Sequence, residues 1–489
     1  MTMTETPTRA PARAWAGLAV LALPTLLLAL DNTVLYLALP HLTADLRPGP
    51  VQQLWIMDVY GFMMAGFLVT MGGVGDRIGR RRLLMIGAVA FGLSSALAAW
   101  SVTPEMLLAA RVLLGISGAT LMPSALALIG TMFTDPAQRG IAVGTFVACF
   151  MGGAALGPVI GGALLQSFWW GSVFLLGVPV MVVLLVAAPL LLPEHRGAEG
   201  GRLDPVSVAL SLAAILPVVY GLKELAGDPV RVVPYVSLAA GAAFGAAFLS
   251  RQRRLASPLL DPALFRSRAL TSALAILLGT MVAQGGVYLL VSQYLQNVAG
   301  MAPLRAGFTL VPPALALVAG SLGAPVLARK VRPSTVIGGG LLLATAGFTF
   351  AALSGSTFEL MAGLVVGYLG TAPVGALGMG MVLGAAPAGK AGSASAVAET
   401  SGEFGIGLGI AVFGSLGAVL YRLALGDAPA AARDSVTGAV RSGDPALADR
   451  ARDAFTTAVT TAYGVTAVLA VLLAVLAFAL LRHVRPAEG

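Results

Sequence analysis

The sequence predicts an all-α polytopic membrane protein with fourteen transmembrane helices, from its composition and from the spacing of its apolar runs. Of 489 residues, 57% are hydrophobic and 11% are charged, and the mean hydropathy is +0.89. This balance is far from that of a soluble domain. Apolar runs of about 20 residues, the length that crosses a bilayer, recur almost from end to end. The chain is therefore expected to lie in a lipid bilayer.

The apolar runs fall into three groups. Residues 15–192 hold six predicted spans, residues 193–268 form a linker with two more, and residues 269–481 hold the last six. The basic run after the second span has a degraded counterpart after the tenth, which favours two related six-helix bundles with an extra central pair. The spans are predicted near residues 15–39, 52–71, 83–102, 104–132, 141–166, 170–192, 205–225, 232–250, 269–295, 304–327, 333–354, 358–384, 393–421 and 457–481.

The distribution of basic residues predicts the orientation. The densest clusters, at residues 77–82, 251–254 and 329–332, fall in loops on one side of the predicted bilayer. Because cytoplasmic loops carry an excess of lysine and arginine, the tails at 1–14 and 482–489 are placed in the cytoplasm and the chain in the inner (plasma) membrane. Topology thus explains the net charge of +8, and no nucleic-acid partner is expected.

One predicted connection is long. The segment at about 421–456 lies on the extracellular side in this topology and mixes aspartates and arginines with an Ala-rich stretch. It is interpreted either as an extracellular cap containing a short helix or hairpin, or as a solvated linker. Charge-mixed loops are usually solvated, which favours the linker.

A basic motif is predicted to form the tight loop between the second and third spans. In it, Gly72 and Gly79 permit a close turn, Asp76 is placed at a helix N-terminus or against an arginine, and Arg77 and Arg80 hold the cytoplasmic side. The alternative is an ordinary positive-inside loop. The motif is Gly72-Gly73-Val74-Gly75-Asp76-Arg77-Ile78-Gly79-Arg80-Arg81-Arg82.

A second motif lies in the fifth span, where Pro158 removes a backbone donor and the glycines leave a groove for a neighbouring helix. A bent, closely packed helix is expected there, and the alternative is a generic small-residue packing face. The motif glycines are Gly153, Gly157, Gly161 and Gly162.

Two charged residues stand inside predicted spans. An ionised Asp31 in the first span costs roughly 2.5–3.5 kcal/mol at mid-helix, so it is interpreted as functional in proton coupling; the alternative is an acid that meets water at the outer interface. Arg111 in the fourth span needs an acidic partner, for which Asp31 and Asp58 are the candidates. A static structural salt bridge is the alternative to a proton-coupling role for Arg111.

Further acids are candidates for substrate binding. Asp58 and Tyr60, with Tyr36 from the first span, could attract a lipophilic cation through charge and cation–π contacts, unless Asp58 is an interfacial acid in an aromatic belt. Glu399 and Glu403 are four residues apart, so a helix places both on one face. Two such carboxylates repel, and a proton held by the pair could be exchanged for a cation; the alternative is a pair wetted by the cytoplasm. Weaker lining candidates are Phe62, Gln284, Tyr288, Gln293 and Tyr294.

These motifs resemble those of the major facilitator superfamily. The 72–82 motif resembles its hallmark loop, the fifth-span motif its antiporter signature, and residues 30–40 the signature of fourteen-span drug:proton antiporters, although Leu35-Tyr36 replaces the usual asparagine. The residues around Asp58 and Glu399 are similar to patterns in exporters of quaternary ammonium compounds and methyl viologen. The resemblance implies the major facilitator fold and proton-coupled export of lipophilic cationic or amphipathic drugs by alternating access.

Other functions are less well supported by the sequence. An exporter of an endogenous antibiotic or secondary metabolite is the nearest alternative, and a non-transporting membrane sensor or scaffold is one of another class. An enzyme is not expected: the chain has no nucleotide-binding loop, one cysteine, and three isolated histidines, His41, His195 and His483, so neither a metal site nor a cofactor is predicted. The protein is expected to be driven by the proton gradient and to act as a monomer.

Overall fold

The computed structural model describes residues 10–194, 204–227, 231–255, 258, 267–384 and 391–481. Within these ranges the chain forms seventeen helices and no strands. They are α1 (Ala12–Leu46), α2 (Pro50–Ile78), α3 (Arg80–Ala99), α4 (Pro104–Met132), α5 (Pro136–Ser167), α6 (Ser172–Leu175), α7 (Gly177–Leu191), α8 (Pro205–Gly227), α9 (Val232–Gln252), α10 (Arg268–Asn297), α11 (Pro303–Ala328), α12 (Pro333–Ala352), α13 (Thr357–Gly384), α14 (Ala391–Leu425), α15 (Ala430–Asp434), α16 (Val436–Arg441) and α17 (Pro445–Leu480).

The prediction of an all-α polytopic membrane protein is confirmed. Helices α15 and α16 are short and α6 and α7 form one interrupted span, which leaves fourteen long helical segments in the described chain. Twelve of them are both long and apolar enough to cross a membrane. The other two are α2, which carries polar residues at both ends, and α8, whose apolar part is shorter. The structure is therefore compatible with fourteen spans.

The long helices pack as two bundles of six. In the N-terminal bundle α1 packs against α5 and α7, α2 against α4, and α3 against α4 and α7. In the C-terminal bundle α10 packs against α14 and α17, α11 against α13, and α12 against α13 and α17. Close approach of helix backbones at glycines, such as Gly347 beside Gly363, tightens the second bundle, as is common where packing replaces the hydrophobic effect.

The central helices α8 and α9 form an antiparallel hairpin on one flank of the molecule. Helix α8 packs against α2 and α14, one helix from each bundle, and it contributes Val219 to a small core that includes Phe62 of α2 and Ala411 of α14. In the described chain, α9 has extensive contact with α8 alone. Helix α8 therefore covers the seam between the two bundles, and α9 faces outward.

An ion pair joins the two ends of this hairpin. The Arg251 side chain donates from Nε and Nη2 to the Asp204 carboxylate at 2.7 and 2.9 Å. Ser207 also donates to Asp204, and Gln252 donates to Ser207 at 2.7 Å. The bidentate geometry and the additional hydrogen bonds make this a directional junction rather than a loose surface pair.

The junction should persist across a wide pH range. Hydrogen bonds from Arg251 hold the pKa of Asp204 below its usual value, so its carboxylate stays ionised and the stability it adds is lost only when the pH falls through that lowered pKa. We expect amide protection at the start of α8 and the end of α9 to be equal at pH 8 and pH 5 in the wild type, and lost at both in Asp204→Asn, as measured by hydrogen–deuterium exchange.

A matched control for this prediction is Asp449→Asn, which removes an exposed ion pair with Arg452. Exposed pairs contribute little, so local protection should hardly change. Loss of hairpin protection in the wild type on going from pH 8 to pH 5 would contradict the argument.

The basic motif after the second span is mostly helical, which corrects the predicted tight loop. Helix α2 continues to Ile78 and α3 begins at Arg80, so Gly79, with φ of +107°, is the only non-helical residue between them. Asp76 lies in the last turn of α2, but its side chain lies outside the described part of the structure, so its placement at a helix N-terminus or against an arginine stays a prediction. The positive φ favours glycine at position 79, where a Cβ would meet only the end of the Glu194 side chain, which can move aside.

The motif is attached to the end of α7. Arg81 donates hydrogen bonds to the carbonyls of Pro189 and Leu192, at 3.4 and 3.0 Å, and its Nε lies 3.5 Å from the Glu194 carboxylate. The basic residues of this motif therefore do more than follow the positive-inside rule, because Arg81 joins the α2–α3 junction to α7 within the N-terminal bundle.

The segment at 421–456 is folded, so its interpretation as a solvated linker is wrong. Helix α14 reaches Leu425 and α17 begins at Pro445, so the connection is shorter than predicted and contains α15 and α16. Ala432 and Val436 are buried against Tyr421, whose hydroxyl donates to the Ala432 carbonyl at 2.9 Å. These apolar contacts give the segment a small core of its own.

Candidate translocation site

A buried ion pair lies in the N-terminal bundle. Arg111 of α4 is 1% exposed, and its Nη1 donates to Oδ2 of Asp31 of α1 at 2.7 Å. Its Nε and Nη2 donate to the carbonyls of Ile56 and Met57 of α2, at 3.2 and 3.4 Å. The structure thus pairs Arg111 with Asp31 rather than with Asp58, and the Asp31 side chain, 9% exposed, does not lie at a water interface.

The guanidinium group is further enclosed by an aromatic ring. Its Cζ lies 4.6 Å from the ring centroid of Tyr60, within the range of a cation–π contact. Gly115 makes this approach feasible, because a Cβ at that position would collide with the backbone of Tyr60. One arginine therefore connects α1, α2 and α4.

Asp58 and Tyr36 lie close to the boundary between the bundles. Asp58 is 2% exposed, so its interpretation as an acid in an interfacial aromatic belt is wrong. Tyr36 of α1 packs edge to face against Tyr288 of α10, with ring centroids 4.7 Å apart, and it interacts electrostatically with Asp58 and Glu403. The tyrosine pair thus joins the bundles beside two carboxylates.

The Glu399/Glu403 pair lies on α14 where that helix packs against α2. Oε2 of Glu403 lies 3.7 Å from the position that a Cβ at Gly61 would take. One residue further along each helix, the rings of Phe62 and Phe404 are 5.9 Å apart. Both glutamates are at most partly exposed. A carboxylate of the C-terminal bundle therefore faces the N-terminal bundle between aromatic side chains.

The glycines of the fifth-span motif pack against two neighbouring helices, α1 and α11. Gly153, Gly157 and Gly161 face α1, where Gly157 receives Thr33 and Gly161 receives Val34. Thr33 and Val34 belong to the first-span motif that contains Asp31, so the two motifs contact each other directly.

Gly162 and Pro158 of the same motif face α11. A Cβ at Gly162 would lie 2.6 Å from the Cα of Leu304, and one at Gly307 would overlap the Pro158 carbonyl. The fifth-span motif therefore lets α5 approach both α1 and the opposite bundle at backbone distance.

The two bundles contact each other at the end of the molecule that holds the α1–α2 connection. At the end that holds the α1–α2 connection, α1 contacts α10 and α11, and α5 contacts α11. The buried acids thus lie beside an interface that is closed at the α1–α2 end, and alternating access requires one state in which this end is closed.

The model of the Major Facilitator Superfamily matches residues 21–410 of the chain. The chain belongs to this superfamily. It is thus a multi-pass membrane transporter rather than an enzyme, and it is called the facilitator below.

Two named relatives align with this facilitator over most of its length. It is 42% identical to the multidrug efflux pump LfrA of Mycolicibacterium smegmatis, over 89% of this chain and 87% of the relative. It is 36% identical to the methyl viologen resistance protein SmvA of Salmonella typhimurium, over 83% and 82%.

A solved structure supports the fold. A bacterial homologue of the human lysosomal transporter Spinster, in an inward-facing and occupied conformation, superposes with a TM-score of 0.71 at 17% identity, over 97% of this chain and 98% of that one.

The weaker lining candidates separate into two groups. Phe62 and Tyr288 lie at the bundle interface, whereas Gln284 donates to Thr371 at 3.0 Å and Tyr294 bonds to Thr357 at 3.1 Å, both within the C-terminal bundle. Gln293 is half-buried on α10.

Sequence reasoning missed Gly61 and Phe404. Gly61 lies between two aromatic residues in the sequence, but only its closeness to Glu403 in the structure identifies it as part of the site. No metal-binding group of three or more ligand side chains occurs in the described chain; His195 and His483 lie outside the described residues.

Proposed function

We propose that this facilitator exports lipophilic and quaternary ammonium cations in exchange for protons. The observation that carries the proposal is the placement of Glu403, whose carboxylate faces Gly61 across the bundle interface beside the rings of Phe62 and Phe404. A half-buried carboxylate beside aromatic rings is complementary to an apolar cation, through charge and cation–π attraction. The efflux and resistance functions named for the two relatives support the same substrate class.

Protons and cations would compete for the same acids. Glu399 lies one helical turn from Glu403 in the same apolar surroundings, and two like charges so close cannot both be ionised cheaply. Either a proton or a cationic substrate relieves the repulsion. Binding of one therefore disfavours binding of the other, which is the basis of antiport.

The Asp31–Arg111 pair is suited to the coupling step. It lies within the N-terminal bundle, and Arg111 holds backbone carbonyls of α2, the helix that faces Glu403. Protonation of Asp31 would remove the charge that holds Nη1 and let Arg111 shift relative to α2. Protonation of Asp31 would thereby change the position of α2, and with it the cation site that α2 forms with Glu403.

The sidedness follows from the basic clusters. The α2–α3 junction, the end of α9 and the α11–α12 connection lie at the same end of the molecule, and all three are rich in arginine. By the positive-inside rule this end is cytoplasmic. Both termini would lie in the cytoplasm, the chain would lie in the inner (plasma) membrane as a monomer, and the closed α1–α2 end would face outward.

The free energy of the proton gradient predicts how transport depends on the number of protons exchanged per cation. A proton crossing about 100 mV releases roughly 2.3 kcal/mol, and one pH unit adds roughly 1.4 kcal/mol. A one-for-one exchange with a monovalent cation moves no net charge, so only the pH part drives it. A membrane potential alone should then produce no accumulation.

The experiment is ethidium transport in proteoliposomes, with a pH gradient and a membrane potential imposed separately. We expect gradient-dependent movement in the wild type and at least about a tenfold lower rate in Glu403→Gln, since about 1.4 kcal/mol of lost charge interaction gives that factor. Glu359→Gln is the matched control, because this half-buried glutamate lies in the first turn of α13, far from the acids of α14.

Absence of ethidium movement under either gradient would overturn the cation proposal. Transport of a neutral metabolite by the same preparation would then support the alternative of an exporter for an endogenous antibiotic. Movement that needs no gradient would contradict proton coupling while leaving cation transport intact.

A further inference from the structure

In the part of the chain that the structure describes, the outward-facing helix α9 has no protein partner on most of its surface. Only 11% of its most apolar stretch is buried, against 67% for α1. Large apolar side chains such as Val236, Phe244 and Leu249 are exposed along it. In a bilayer this face is covered by acyl chains.

Among the described residues, two of the three positive charges at the end of α9 have no acid beside them. Arg251 is neutralised by Asp204, but Arg253 and Arg254 are exposed and have no acidic partner within the described chain. Two positive charges therefore project from the point where the apolar face of α9 ends.

Two clefts flank these arginines, with volumes of about 460 and 350 Å³. Ser250 and Arg254 line both clefts, so the two are adjacent. The remaining lining is mostly apolar and includes Leu249 on one side and Leu210 of α8 on the other. Each cleft thus joins a cationic and hydroxyl-bearing rim to a hydrocarbon wall.

We propose that the end of the α8–α9 hairpin is a binding site for an anionic phospholipid. The phosphate is held by Arg253 and Arg254 with the Ser250 hydroxyl, and the acyl chains lie along α9 in the two clefts. A free phosphate would use the arginines but not the apolar walls, which continue into the lipid-facing surface of the helix. Basic pockets between membrane helices are known to select acidic headgroups by this combination.

The test is native mass spectrometry of the full chain in detergent, titrated with phosphatidylglycerol or phosphatidylcholine. We expect the wild type to retain phosphatidylglycerol preferentially and Arg253→Gln/Arg254→Gln to bind it about 30-fold more weakly, from about fivefold to sixfold per arginine. The control Arg329→Gln/Arg332→Gln removes two exposed arginines at the same end of the molecule and should leave this affinity within about threefold of the wild type.

Soluble glycerol phosphate and inorganic phosphate form the second arm, and neither should displace the lipid at equal concentration. Equal loss of binding in the control pair, equal retention of both lipids by the wild type, or displacement by inorganic phosphate would each overturn the proposal. If the glutamine pair does not fold, Arg253→Lys/Arg254→Lys is measured in its place. This variant retains both charges and should keep the preference for phosphatidylglycerol. Loss of that preference would overturn the proposal. No transport measurement is involved, so failure here is distinct from failure of the proposed export.

Discussion

Asp31→Asn should stop proton-driven transport and destabilise the protein by about 3–5 kcal/mol, because it leaves Arg111 charged, buried and without its carboxylate. Arg111→Gln should be at least as damaging, since it also removes hydrogen bonds to the carbonyls of Ile56 and Met57 and the contact with the Tyr60 ring. Thermal unfolding in detergent and ethidium flux in proteoliposomes measure the two effects.

The double variant separates stability from coupling. Asp31→Asn/Arg111→Gln replaces the ion pair with two neutral polar groups, so it should recover much of the lost stability but none of the proton dependence. Arg452→Gln is a control, because its ion pair with Asp449 is exposed and at the molecule's surface. Transport by Asp31→Asn at the wild-type rate, with unchanged dependence on the pH gradient, would contradict a coupling role.

Gly307→Val should shift the conformational equilibrium about 10- to 100-fold away from the state closed at the α1–α2 end. A side chain at this position would overlap the Pro158 carbonyl, and overpacking costs about 1–3 kcal/mol. The bundles touch at this point through backbone atoms, so no flexible side chain can yield. Transport should slow, because one of the two states that alternate becomes poorly populated.

The shift can be measured by the distance between spin labels on either side of the closed end. Cysteines at Arg47 and Ala302, both exposed, in a Cys149→Ser background give a single labelled pair, because Cys149 is the chain's one cysteine. The distance distribution should lengthen in Gly307→Val. Gly323→Val on the same helix meets nothing within 4 Å of its Cβ position and should leave the distribution unchanged; a matching shift there would refute the steric explanation.

Much of the fold follows from local sequence. Apolar runs near the thickness of a bilayer must be helical, because only a helix satisfies backbone hydrogen bonds within one segment, and twelve of the fourteen predicted runs are helices long and apolar enough to span. The expectation failed where helices leave the membrane: α2 continues through the basic motif to Ile78, and α17 begins at Pro445. Hydropathy cannot register a helix that extends into water.

The candidate site was only partly visible in the sequence. A lone arginine in an apolar helix demands a partner, so Arg111 and an acid were predicted together, but the choice of Asp31 over Asp58 depends on how α1, α2 and α4 pack. The closeness of Glu403 to Gly61 likewise depends on contact between residues more than 300 positions apart, whose neighbouring rings, Phe62 and Phe404, also meet.

The sequence by itself determined that this protein is a helical membrane transporter, which residues are costly to bury, and where glycines permit close approach. These properties depend on the chemistry of single residues and short runs. The tertiary structure decided which acid neutralises Arg111, that α8 covers the seam between α2 and α14, and that the bundles meet at the α1–α2 end. Each depends on which helix faces share a surface, because packing and charge compensation act between segments distant in the chain.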